Sequence, residues 1–501
     1  MTKRVCQRAT SLSLPCVVLH GLLRMMGDAC DVVAFLEALS VSTLPPELIA
    51  LRDLGAVVDL NEHWPGVHVV DVPIEYARLA IDALPAFASV KVDAGFTALA
   101  WLGATLPPTM PASLVVNVSV PGNHAALAYF WGTNVVEATV TGPEFDLGMI
   151  PDILARCVHL QYATIESQVT AANLAAIPTA SLRSLKVTAP EQPLVDATAI
   201  IAWLQGRSAT SLSLDCDSVT DPVALASAIH ASSTLHSLSF TSALDVQEAL
   251  VASPHTLHHI TALSVHVLRR HCEMVRQLLQ KLDPNQVVSV SVDLDEEDDE
   301  DDTPHVTQIL NIVAAWPALA SLSLDYMWFD VTTTTGVWPQ LATVAVRNVT
   351  FNTKHDAVKL MQQLSTSRCL TSVDFRNTEI GTAGFIELAR ALPAWMARGL
   401  ETLKLLSTQI GDDDVAALAV ALASGRNTRH LTLDLSENEL TLASIKLLLT
   451  ALGACHNVTL HVDEDASTPT IRALMEQHHL VETSLGVFVS PTRASSPWHA
   501  M

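Results

Sequence analysis

Basic residues are scarce in this 501-residue sequence: 28 Lys and Arg stand against 52 Asp and Glu, a formal net charge of −24. Such a chain has no general cationic surface for phosphate backbones or anionic lipid, so neither a nucleic-acid nor a membrane-surface partner is expected. Long apolar runs are missing as well. Mean hydropathy is +0.33, yet the stretches 14–23 and 96–106 are broken by His, Gly or Pro well short of the ~20 residues that a membrane span needs. Lys3, Arg4 and Arg8 precede an apolar run, but Pro15 and His20 interrupt it and no small-x-small cleavage site follows, so no secretory leader is expected. A cytoplasmic location, extending to the nucleus, follows from that reading.

Cysteine is thinly spread. The eight cysteines lie at 6, 16, 30, 157, 216, 272, 369 and 455 with no C-x-x-C pair, a spacing that excludes a disulfide frame or zinc site and points to reduced, buried thiols. Signatures of catalysis are absent too: there is no G-x-x-x-x-G-K-[ST], G-x-S-x-G, H-E-x-x-H or G-x-G-x-x-G. His255, His258 and His259 cluster without an acid or Cys at ligand spacing. The acidic run 293–302, DLDEEDDEDD, fails as a calcium loop because Asp298 and Pro304 occupy the places of its Gly and final Glu. A non-enzymatic chain with no metal and no cofactor is expected. Like charges this dense repel one another, so the run reads as a solvated loop at a strand exit.

What the sequence does contain is apolar residues, 49% of the chain, arranged in repeats. Three segments align at an offset of about 30 residues: LTSVDFRNTEIGTAGFIELARAL from Leu370, LETLKLLSTQIGDDDVAALAVAL from Leu400 and HLTLDLSENELTLASIKLLLTAL from His430. Apolar residues recur at relative positions 4, 6, 11, 19 and 23, for example Leu403, Leu405, Ile410, Leu418 and Leu422. Positions 4 and 6 share one face of a strand; positions 19 and 23 share one face of a helix. One strand–helix unit cannot cover its own apolar face, so the units stack and their core becomes continuous.

These residues resemble the leucine-rich repeats of the ribonuclease-inhibitor type, L-x-x-L-x-L-x-x-N/C-x-L. The resemblance implies an α/β leucine-rich-repeat solenoid, a horseshoe with parallel strands inside and helices outside, preceded by a small helical segment. Weaker copies place positions 4 and 6 at Val158/Leu160, Leu185/Val187, Leu212/Leu214, Leu238/Phe240, Leu263/Val265, Val290/Val292, Leu322/Leu324, Val344/Val346 and Val458/Leu460. Val90/Val92, Val116/Val118 and Ala138/Val140 continue the series upstream. Position 9, where the family's Asn or Cys bonds the turn backbone, is Asn only at Asn438, and irregular turns are therefore expected over the middle of the array.

Residues 1–66 form the helical segment, 67–480 the solenoid, and 481–501, rich in Ser and Pro at its end, a disordered tail. The L-P step at Leu14-Pro15, Asp28 and Asp31, an apolar helix and Trp64 resemble a degenerate F-box. That resemblance implies docking of a Skp-type adaptor of cullin ubiquitin ligases on Leu14, Pro15, Val18 and Leu22; the alternative is that these helices only cap the repeat core. Strand positions 3, 5, 7 and 8 line the concave face, mostly with Ser. The larger exceptions are Asp325, Tyr326, Trp328, Arg347, Asp374, Arg376, Lys404 and Asp434, and a protein partner is expected there. The function expected is a substrate receptor of a ubiquitin ligase, monomeric outside its complex. Two alternatives stay open: a small-GTPase regulator, since the segments from Ile380 and Ile410 resemble repeats of Ran GTPase-activating proteins, and an inhibitor or sensor acting by occlusion.

Overall fold

The computed structural model describes residues 15–68, 71–93, 110–117, 132–141, 149–166, 174–189, 194–295, 307–329, 336–351, 353–438, 440–463 and 468–490. Its contacts divide the chain into two units, Met1–Ser211 with Asp215–Asp221, and Leu212–Leu214 with Pro222–Met501.

The first unit opens with helices α1 (Cys16–Met25), α2 (Ala29–Ala38) and α3 (Pro46–Gly55). Asp28 caps α2, its carboxylate accepting the Cys30 N–H at 2.7 Å, which satisfies one of the donors a helix start leaves open. Leu23 of α1, Val32 and Leu36 of α2, and Leu48, Leu51 and Leu54 of α3 are fully buried, so each of the three helices has an apolar side. Trp64 donates from Nε1 to the Met26 carbonyl at 2.8 Å and its ring lies 5.9 Å from that of Phe87. Among the described residues six strands follow, β1 (Gly66–His68), β2 (Ser89–Asp93), β3 (Ala112–Asn117), β4 (Val135–Thr141), β5 (Tyr162–Glu166) and β6 (Ser184–Ala189). Each pairs in parallel with the next. Strand β7 (Ser211–Cys216) is divided, its middle belonging to the second unit.

In the second unit β8 (Ser237–Ser242), β9 (Ala262–Leu268), β10 (Ser289–Asp295) and β11 (Ser321–Asp325) run parallel. Between β11 and the next strand of this sheet lies β12 (Trp328–Phe329), which pairs β14 (Thr350–Phe351) in a separate two-stranded sheet. The main sheet continues through β13 (Thr343–Arg347), β15 (Ser372–Asp374), β16 (Thr402–Lys404), β17 (Leu431–Asp434) and β18 (Val458–His461). Helices return the chain between strands, as in Gly381–Arg398, Asp412–Ser424 and Leu442–Ala454. The repeat residues do what their spacing requires: Val373, Leu403 and Leu433 are Cα partners on consecutive strands, and Leu388, Leu392, Leu418, Leu422, Leu448 and Leu452 are buried. The stacked strand–helix units are an α/β leucine-rich-repeat solenoid. Among the described residues no helix is long and apolar enough to cross a membrane.

From β11 to β17 the turns after the main-sheet strands share one form. At position 8 the backbone is left-handed in successive repeats, at Tyr326, Asn348, Asn377, Ser407 and Glu437. The N–H of Tyr326, Asn348, Asn377 and Ser407 donates to the carbonyl of Arg347, Arg376, Leu406 and Ser436, at 3.2, 3.0, 3.0 and 3.2 Å. Each turn is thus tied to the next. Asn438 Oδ1 accepts from Thr408 N at 2.9 Å and its Nδ2 donates to the Leu405 and Leu435 carbonyls. Thr378, fully buried at the same repeat position, substitutes for Asn: its hydroxyl donates to the Val346 carbonyl at 2.9 Å and accepts from Val349 N.

Several expected positions move. Val158/Leu160 is not the strand pair; Val158 is 49% exposed in a turn, and Ala163 and Ile165 on β5 pair with Leu185 and Val187. In the sheet Leu114/Val116 partner Ala138/Val140, while Val118 lies outside the described residues, and Leu433 partners Leu460, which shifts the last pair from Val458/Leu460 to Leu460/Val462. A slip of two residues leaves the same side chains on the buried face, so alternation cannot detect it and only the neighbouring strand does. The segment expected to begin a tail at 481 instead forms strands β19 (Val481–Ser484) and β20 (Val487–Val489). Strand β20 pairs antiparallel with both β19 and β18, because Phe488, fully buried, supplies an apolar contact that composition hides. Residues 491–501 lie outside the described residues. The acidic run does not begin as a loop: Asp293, Leu294 and Asp295 are strand residues of β10, with Leu294 fully buried. Residues 296–302 lie outside the described residues.

Candidate protein-binding face

Strand side chains that alternate with the buried ones form an open face of the sheet in the second unit. Ser237, Ser239, Ser289, Ser291, Ser321 and Ser323 occupy it half-exposed, at the alternate positions the pattern assigns. Charge appears at the ends of the strands. His266 is the Cα partner of Asp293, Asp293 of Asp325, and Asp325 of Arg347. Two residues earlier in the repeat, Asp374 partners Lys404, Lys404 partners Asp434, and Asp434 partners His461. The parallel register therefore turns residues about 30 apart in sequence into lateral neighbours ~4.8 Å apart.

Asp374 links the two rows through its bonds to Arg347. Its side chain is only 7% exposed, and its carboxylate accepts from Arg347 Nη2 at 2.9 Å and from Arg376 Nη2 at 2.9 Å. Arg347 Nε and Arg376 Nε add contacts at 3.0 Å, and the backbone N–H of Arg376 donates at 3.2 Å. Burial by itself would push the Asp374 carboxyl up; the hydrogen bonds from Arg376 and the charges of Arg347 and Arg376 outweigh it and hold the group below the usual carboxylate range. Asp325 takes the Asn348 Nδ2–H at 2.7 Å and the Tyr326 N–H at 3.1 Å. Burial, with the charge of Asp293 beyond it, pushes its carboxyl upward. Asp434 accepts from the N–H and hydroxyl of Ser436 at 3.1 and 2.8 Å.

Of the eight residues that the sequence assigns to this face, Asp325 and Arg347 end one pair of strands, Asp374, Lys404 and Asp434 end the next three in a row two residues earlier in the repeat, and Arg376 follows β15 in its turn. Tyr326 occupies the left-handed turn beside them. Trp328 lies on the separate two-stranded sheet, paired with Thr350, with 39% of its surface exposed. The sequence reading missed His266, Asp293, Asn348 and His461. Their signal was available, since His266, Asp293 and His461 each follow an apolar strand residue at the place equivalent to a charged residue already chosen, and Asn348 stands at the place of Tyr326; the slipped frame at Val458 hid His461.

His266 sits between two carboxylates, Nδ1 2.9 Å from Asp293 Oδ2 and Nε2 2.9 Å from Asp295 Oδ2. Burial acts to lower its pKa, but the hydrogen bonds and charges of the two carboxylates outweigh it and raise it. Donor atoms of these three residues lie within 4.8 Å of one another and form the described set that could hold a divalent cation. Engagement of both ring nitrogens by carboxylates is the arrangement of an imidazolium. The expected His255, His258 and His259 cluster is held otherwise: His259 Nε2 lies 3.1 Å from the Ile229 carbonyl and His258 Nδ1 3.7 Å from Asp283.

The expected adaptor-binding residues lie in the first unit. Leu14 lies outside the described residues; Pro15 is exposed ahead of α1, and on that helix Val18, Leu22 and Met25 are 44, 38 and 83% exposed while Leu19 and Leu23 are buried. Among the described residues an apolar stripe at helical spacing thus stands uncovered.

No family model matches the chain, and no curated protein matches it. Among solved structures, it is similar to the TLR13–ssRNA13 complex, with 14% identity over 74% of this chain and 49% of that one and a TM-score of 0.37. It is similar also to Toll in the Toll–Spatzle complex of Drosophila, with 13% identity over 74% of this chain and 50% of that one and a TM-score of 0.37. The chain spans about half the length of either structure.

Proposed function

We propose that the chain is a non-enzymatic scaffold that binds a protein on the open strand face of its second unit and recruits a Skp-type adaptor through α1. The observation that carries the first half is the pair of charged rows, Asp325 with Arg347 and Asp374 with Lys404 and Asp434, each fixed laterally by the parallel register and joined by buried Asp374. Rigid strands hold such side chains with less loss of freedom on binding than loops do. Trp328 adds a large exposed ring of the kind that anchors interfaces. The second half is supported by the stripe of Val18, Leu22 and Met25, apolar surface of the kind that marks interaction sites when it is contiguous.

The halves are tested separately with the full chain. Calorimetric titration with a purified Skp-type adaptor should show binding that is lost on Val18→Glu with Leu22→Glu; no binding to the unaltered chain overturns the ligase half. Affinity capture should return proteins that disappear with Trp328→Ala or Lys404→Glu; capture indifferent to both overturns the open face as the recognition surface.

A further inference from the structure

Resting on the scaffold reading above, we propose that Arg347, Arg376 and Lys404 form an oxyanion-binding site, and that the partner's segment seated on the open face carries acidic side chains there. The inference comes from where donors and acceptors are left over. Asp374, Asp325 and Asp434 are the carboxylates of the two rows, and each already accepts hydrogen bonds from this chain: from the two guanidinium groups, from Asn348 and Tyr326, and from Ser436 respectively. The cations are not so filled. Arg347 and Arg376 direct Nε and Nη2 to Asp374, and among the described residues neither Nη1 has a partner. Their side chains are 35 and 37% exposed, whereas that of Asp374 is 7% exposed. Lys404, half-exposed beside Asp374, makes no ion pair among the described residues.

One buried carboxylate thus orients two guanidinium groups; Asp325 and Asp434 act on Arg376 by charge as well, so what the site offers an anion is directed donors, the two Nη1 groups and the Lys404 ammonium. Guanidinium nitrogens fixed in direction suit a carboxylate or phosphate better than mobile ones, because the fork geometry is set before the ligand arrives. A third cation on the next strand widens the site along the row. The remainder of a chain of net charge −24 repels anions, which disfavours a long polyanion such as RNA and favours a short acidic peptide segment that touches only this patch.

The experiment is fluorescence anisotropy of the full chain with a labelled short Glu-rich peptide, its Gln analogue and a labelled single-stranded RNA. The Glu peptide should bind and the Gln analogue should not. Affinity should fall about tenfold in Arg376→Lys, which keeps a charge beside Asp374 but loses the fork, and several-fold in Lys404→Gln, where no buried partner is stranded. Raising salt to about 0.5 M should weaken binding further, since the patch is partly exposed. No binding of the Glu peptide, equal binding of the Gln analogue, or affinity unchanged in both variants overturns the proposal; RNA that displaces the peptide overturns the choice of an acidic protein segment. Capture of a partner that depends on Trp328 but not on Arg376 or Lys404 defeats this site and leaves the scaffold reading standing.

Discussion

Asn438 accepts the backbone N–H of Thr408 from the preceding repeat at 2.9 Å, with both groups buried. The same amide donates back to the Leu405 carbonyl at 2.7 Å. One side chain therefore closes two turns at once, which fixes the spacing between repeats and, through it, the lateral alignment of the charged rows.

Asn438→Ala leaves the N–H of Thr408 and Ile410 and the carbonyl of Leu405 without these partners. The expected cost is about 2–4 kcal/mol, since buried donors and acceptors lose their full solvation when orphaned. Thr378→Val, which removes fewer bonds, should cost about 1–2 kcal/mol. Urea unfolding midpoints measure both; a midpoint for Asn438→Ala equal to that of the unaltered chain contradicts the account of the turns.

Leu403 is fully buried between Val373 and Leu433. Leu403→Asp should lose about 1.5–3 kcal/mol of burial and in addition place a charge where water cannot reach. The thermal midpoint followed by circular dichroism should fall by several degrees. No fall would mean that the repeat phase is wrong.

Two groups on the open face set opposite pH dependences. The folded pKa of Asp374 lies below its unfolded value, so its stabilising contribution is present above about pH 4 and is lost as pH falls through the folded pKa. His266 has a raised folded pKa, so its contribution is complete below about pH 6.5 and is lost as pH rises through the folded value. An NMR titration should place the His266 imidazole above the ordinary value in the unaltered chain and closer to it in Asp295→Asn. An unshifted midpoint in the unaltered chain would exclude the two-carboxylate clamp.

Burial pushes the thiols of Cys157 and Cys272 up to about 12 and that of Cys455 to about 11. They should resist thiol reagents at pH 8, where too little thiolate exists to react. Cys30 and Cys369 are exposed and should label quickly. Peptide mapping after a short pulse of iodoacetamide distinguishes the two groups, and rapid labelling of Cys157 in the native chain would contradict its burial.

The sequence by itself determined the unit. Leu403, Leu405, Leu418 and Leu422 declare a strand face and a helix face within one repeat, and a unit that cannot cover its own apolar surface has to stack. It also named most of the charged rows, because the residues beside those leucines were charged where their counterparts elsewhere were serine. Register was decided only in the tertiary structure, since alternation repeats every two residues and a frame slipped by two, as at Val458, buries the same face. Thr378 could not be recognised as the stand-in for Asn, because its bonds run to the backbone of the repeat before it. Nor could composition tell that Phe488 would carry the chain's last described strands onto β18. The engagement of Arg347 and Arg376 by one buried carboxylate is likewise tertiary: Asp374 and Arg347 are 27 residues apart in sequence and become neighbours only because parallel strands set consecutive repeats side by side.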